Sequence, residues 1–104
     1  MSAEGTFYSD GLMNSRITLS LDANNKLELW LNKEGRDQLV RELQALDENN
    51  DHFHMMLPDY APSDLPLMPI PYRTTDTVIS AAKVMFRPDD WDQLHYPHVL
   101  TDAK

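Results

Sequence analysis

The sequence predicts an α+β fold. Its core is a mostly antiparallel four- to five-stranded sheet with one main helix on one face, in the order β-β-α-β-loop-β, ending in a short C-terminal helical turn. Three observations predict it. Aliphatic residues alternate strictly along 17–21 and again along 27–31; one amphipathic helical stripe follows; and five of the seven prolines crowd between Pro58 and Pro71.

The first two strands form a hairpin. Ile17, Leu19 and Leu21 alternate with Thr18 and Ser20, and Leu27, Leu29 and Leu31 alternate with Glu28 and Trp30. Pairing 21 with 27, 19 with 29 and 17 with 31 sets every aliphatic residue opposite another. A slip of one residue would turn them to water. This register leaves Ala23-Asn24-Asn25 as a three-residue loop closed by Asp22 opposite Lys26, with Asn25 suited to the left-handed position.

Asn32 then reads as a helix N-cap, its side chain accepting from free amides of the first turn, with Glu34 near the positive end of the dipole. Leu39, Val40, Leu43 and Leu46 make one stripe, and Asp37 and Arg41 are spaced to pair at i,i+4. Gly35 weakens the first turn. The polar run 47–51 ends the helix.

A third strand runs from His52 to Leu57, with Phe53, Met55 and Leu57 on one side and His52, His54 and Met56 on the other. Prolines deny donors to a ladder, so Pro58–Pro71 is expected to be an extended loop outside the central strands, packed down through Leu65, Leu67, Met68 and Ile70. Thr77 to Phe86 reads as a fourth, well-buried strand. Residues 87–94 read as a helical turn with Pro88 at its first position and acids at its N-terminus. The polar sheet face is expected to expose Thr18, Ser20, Glu28, Trp30, His52 and His54. The whole chain, 1–104, reads as one domain, with 1–12 and 97–104 loosely ordered.

Charge narrows the partners. Nine Lys and Arg stand against 17 Asp and Glu, giving −8, and no cation lies between Arg41 and Arg73. Such a surface repels phosphate backbones and anionic lipid, and it speeds encounter with a basic protein. Nucleic acid and membrane are therefore not expected partners. Without cysteine there is no disulfide framework, thiolate zinc site or thiol nucleophile. No apolar run approaches the ~20 residues of a membrane span and no signal pattern opens the chain, so a cytoplasmic monomer or homodimer is expected.

Catalytic motifs are missing as well. Three glycines, Gly5, Gly11 and Gly35, cannot write a phosphate-cradling loop, and no GxSxG elbow occurs. No residue is assigned a catalytic role, and neither a cofactor nor a metal is expected. His52-x-His54 places two imidazoles on one strand face, a spacing that can hold zinc, iron or copper if a carboxylate joins them, with His95 and His98 as further candidate ligands. Aromatic and acidic residues coincide in the proline-rich segment at Asp59, Tyr60 and Asp64. Restricted backbone lowers the entropy lost on binding, which makes this segment a candidate interface. Asp51 and Trp30 complete the candidate partner-binding set.

LELWLNKEGRDQLVRELQAL, followed by HFHMMLPDY, resembles the immunity protein 32 family of bacterial polymorphic toxin systems. The resemblance rests on an LWLN-like strand end leading into an amphipathic helix, an HxHM-like strand and a proline-acid-aromatic step. It covers residues 16–60, and 77–86 more loosely; Asp59-Tyr60 stands in place of Glu-Trp, and Ala61-Pro62 in place of Gly-Gly. It implies a non-enzymatic inhibitor that binds and occludes a cognate toxin domain, a basic nuclease being the partner that suits the charge. The other readings of the residues are a small metal- or ligand-binding domain using His52 and His54, and a self-associating structural domain.

Overall fold

The computed structural model describes residues 14–58 and 64–101. Among these residues the elements are, in order, β1 (Ile17–Leu21), β2 (Leu27–Leu31), α1 (Lys33–Gln44), β3 (His52–Met56), β4 (Leu65–Pro66), β5 (Thr77–Val78), β6 (Ala81–Met85), α2 (Asp89–His95) and α3 (His98–Thr101).

The hairpin has the register its alternation requires, with Ile17 opposite Leu31, Leu19 opposite Leu29 and Leu21 opposite Leu27. Its loop is held by Asp22, whose Oδ1 accepts from the amides of Asn24 at 2.8 Å and Lys26 at 2.9 Å. Asn25 takes the left-handed conformation, φ 68°. Those two amides hold the Asp22 carboxyl below the ordinary aspartate range, Lys26 contributing most.

The helix starts where the cap residue predicts. Asn32 Oδ1 accepts from Gly35 N at 2.7 Å and from Arg16 N at 2.9 Å, while Nδ2 donates to Asn14 O at 2.8 Å. One side chain thus caps the start of the helix and fastens it to the residues that lead into β1. Asp37 does not reach Arg41: it pairs with its neighbour Arg36 at 3.0 Å, and Arg41 donates to Gln38. Leu39 and Leu46 pack on the core, whereas Val40 and Leu43 remain exposed.

Instead of one four- to five-stranded sheet there are two of three strands, ordered β2-β1-β5 and β4-β3-β6. All pairs are antiparallel except β3 with β4. Two segments carry the chain from one sheet to the other. Leu67 donates to Met56 O and the next residue, Met68, to Ile17 O; Leu57 donates to Ser80 O, and Ile79 to Leu19 O. The free edge of β1 is therefore shared between the end of the proline-rich segment and the start of the 77–85 run. That run is broken at Ile79–Ser80 and is half-exposed, with Ala82 and Val84 inward and Lys83 and Met85 outward, rather than a continuous buried strand. Pro66 is tolerated in β4 because that strand is an edge.

Ile17, Leu19, Phe53, Met55, Leu65 and Leu67 form the core between these sheets. The polar face of β1 is not wet: Thr18 is 2% and Ser20 0% exposed. Ser20 Oγ accepts from Trp30 Nε1 at 3.2 Å, and Tyr72 stacks on Trp30. Both faces of β1 are thus covered. Near the C-terminus Pro88 is the N-cap of α2 rather than its first residue, with ψ 159°, and α3 forms a further turn at 98–101 where loose order is expected. The N-terminal residues 1–12, expected to be loose, lie outside the described residues, as do 102–104.

Candidate protein-binding surface

The acidic side grows from α1 and β4. Glu42 on the helix is raised above the ordinary glutamate range, first by partial burial and then by repulsion from Asp64, with Arg41 opposing. The fold has therefore gathered two carboxyls that lie 22 positions apart in sequence. Asp64 is half-exposed, and its Oδ2 accepts from His54 N at 2.9 Å, with His54 Nδ1 3.9 Å away. It both pins the β3 edge and presents charge. Asp59 and Tyr60, the centre of the expected interface, lie outside the described residues.

Asp47 is absorbed by its own turn, accepting from Asn49 N at 2.8 Å and Asn50 N at 2.9 Å. Asp51 is held on two sides, by His52 Nδ1 at 2.8 Å and Arg87 Nη1 at 3.0 Å. The His52 hydrogen bond, helped by Arg87, keeps its carboxyl below the ordinary aspartate range. Trp30 is likewise engaged, stacked on Tyr72 and bonded to Ser20. Asp51 and Trp30 therefore serve internal contacts, while Asp64 lies near Glu42.

Two clusters escape the sequence reading. In one, Arg73 Nε donates to both Asp76 oxygens, at 3.0 and 3.2 Å, while Nη2 reaches Glu28 and the guanidinium carbon lies 5.1 Å from the Trp30 ring centroid. The Asp76 side chain is fully buried, and its bond holds Arg73 above the ordinary arginine range. No sequence signal announces it, since alternation puts Glu28 on the polar face of β2 and Arg73 and Asp76 lie more than 40 residues away. In the other, Arg87 sits over Trp91 at 4.4 Å, Trp91 contacts His95 and Tyr96, and Tyr96 contacts His98. His52 and His54 meet edge to face at 5.0 Å. Among the described residues no group of three or more His, Cys, Asp or Glu converges in a way that could hold a metal ion.

On the β1 face an open groove of about 370 Å³ runs between Arg16, Thr18, Met68, Ile70, Pro71 and Tyr72. Among the described residues no helix is long and apolar enough to cross a membrane. Comparison with protein-family models, with curated proteins and with solved structures gives no match.

Proposed function

We propose that this chain is a non-enzymatic binding protein of the immunity type, which occludes a cognate toxin domain with a basic surface, a nuclease being the partner that suits the charge. The observation that carries the reading is Glu42 beside Asp64. Partial burial raises Glu42 most, and repulsion from Asp64 adds to it against the opposing Arg41, so the fold tolerates an unfavourably placed pair of acids. A cationic partner relieves it on binding, and complementary fields raise the association rate. The net charge of −8 and the resemblance over residues 16–60 support the same reading.

The test is co-expression with the toxin domain encoded by the adjacent upstream gene, scoring survival and pull-down together. Rescue with a stable complex supports the proposal; toxicity without rescue sinks that pairing. Within a complex, Glu42→Gln with Asp64→Asn keeps hydrogen-bonding shape but removes both charges, and is expected to weaken binding about tenfold or more. Unchanged affinity would take this side of the molecule out of the interface.

A further inference from the structure

Strand β2 is the edge of its sheet, and its backbone polarity can be read from its two ends. Asn32 N donates to Arg16 O at 3.1 Å, and Asp22 N to Lys26 O at 2.9 Å. The hydrogen-bonded pairs of the ladder are therefore 16/32, 18/30, 20/28 and 22/26, because such pairs recur every second residue. Leu27, Leu29 and Leu31 consequently turn their N–H and C=O groups away from β1. Among the described residues β2 pairs only with β1. The same three side chains are 60%, 46% and 37% exposed.

We infer that a second copy of this chain occupies this edge, joining two β2 strands antiparallel about a two-fold axis at Leu29. The segment LELWL is self-complementary about that residue. Leu29 meets Leu29 of the second copy, Leu27 meets Leu31, and Glu28 meets Trp30. About six interchain backbone hydrogen bonds form, and two three-stranded sheets become one of six strands.

Charge favours this occupant. In a chain of −8, residues 26–37 are charge-balanced, three cations (Lys26, Lys33, Arg36) against three acids, with Glu28 paired to Arg73 and Asp37 to Arg36, so two acidic chains meet here with little repulsion. No like charges face one another in the two-fold register. The usual guards of an edge strand, a proline, a bulge or an unpaired charge on its apolar side, are not present in β2.

Helix α1 extends the same surface. At about 100° per residue, Glu42 lies on one flank of the core-facing Leu39–Leu46 line and Val40 and Leu43 on the other. Glu42 lies on the Asp64 side, which leaves the exposed Val40 and Leu43 on the opposite flank of α1, the helix that follows β2 directly. The two-fold axis brings both helices to one face of the joined sheet and leaves each Glu42–Asp64 pair open. The pairing stands independently of the toxin-binding reading.

Sedimentation of the full chain from low micromolar to near-millimolar concentration tests this. The expected result is a mass that rises to twice that of the chain. Leu29→Glu places two carboxylates opposite each other on the axis and is expected to weaken the dimer by about 100-fold or more. Leu94→Glu, on the exposed face of α2, is expected to leave it intact. The register has its own test. Leu27→Lys and Leu31→Glu are each expected to weaken the dimer when alone. Mixed together they recover it, because the lysine introduced in one copy then faces the glutamate introduced in the other, a result that misfolded variants could not give. A wild-type mass that stays monomeric throughout overturns the inference. So does a dimer that Leu29→Glu leaves intact, or a mixture that fails to recover.

Discussion

Trp30 and Tyr72 lie face to face, with ring centroids 4.1 Å apart and planes within 9° of parallel. The stack fastens β2 to the end of the proline-rich segment, and beneath it Ser20 and Thr18 are closed off from water. Tyr72→Ala is expected to cost about 1–2 kcal/mol, including about 0.5–1.5 kcal/mol for the ring pair itself. Denaturant unfolding of Tyr72→Ala, Trp30→Ala and the double variant isolates that pair term as a coupling energy. A coupling near zero would mean that the stack adds nothing beyond coverage.

Asn32 makes three bonds with one amide, two accepted and one donated. Asn32→Ala is expected to lose about 1–2 kcal/mol, at the upper end for a cap because the link to Arg16 goes with it. Asn32→Asp keeps both accepted bonds and loses only the donation to Asn14, so its unfolding midpoint should fall between those of Ala and the native residue.

Gly35 is the glycine that the packing demands. A Cβ there would stand 2.6 Å from Arg16 O and 2.9 Å from Ile17 Cγ1, the first of these being backbone that cannot swing aside. Helix propensity alone favours alanine by about 1 kcal/mol. The clash should reverse the sign, leaving Gly35→Ala destabilised by about 1–3 kcal/mol in thermal or denaturant unfolding. A stabilised variant would show that α1 can lift off β1 freely.

Glu42 and Asp51 should respond to pH in opposite senses. The Glu42 carboxyl is raised in the folded protein, so its ionisation opposes folding above that value, and the penalty disappears as pH falls through it. Glu42→Gln is therefore expected to raise Tm by about 1–3 °C at neutral pH, with the gain vanishing in acid. Asp51 is depressed. Its support is complete above the unfolded carboxyl's titration and is lost as pH falls through the lower folded value. Asp51→Asn should thus cost stability at neutral pH and cost less as the solution becomes acidic. Thermal melts across the carboxylate range read both. If Glu42→Gln melts higher yet binds a partner more weakly, its charge is kept for recognition rather than for the fold.

Much of the local structure was legible because it is written in short periods. The pairing of Leu19 with Leu29, the left-handed Asn25 and the cap at Asn32 each depend on residues within a few positions or one hairpin. The division into two sheets was not. It turns on Met68 N reaching Ile17 O and Ile79 N reaching Leu19 O, backbone bonds that no side chain announces. Period two likewise separates the faces of β1 and β2 without saying what lies over each. Thr18 and Ser20 read as wet and are covered by a distant tyrosine, while Leu27 reads as core and stands open. Of the candidate site, Asp64 was visible as an acid near prolines, but its meeting with Glu42 depends on where the helix lands. Asp51 and Trp30 looked free because Arg87 and Tyr72 are far away in sequence.

The sharing of the β1 edge also orders events in time. Strand β3 pairs with β4 and β6, and the outer edge of β1 with Met68 and with residues 77–79, all of them later in the chain than β3 itself. A ribosome that has released the chain only through residue 58 has therefore delivered a hairpin and a capped helix, but a third strand that lacks β4 and β6, its neighbours among the described residues. Phe53 and Met55 lack two of their core partners until Leu65 and Leu67 emerge; the first sheet is not complete before β5, nor the second before β6. Completion waits for residues 77–85, which close both sheets in quick succession, so a chain stopped short of Met85 presents apolar strands to the quality-control machinery rather than a smaller folded protein.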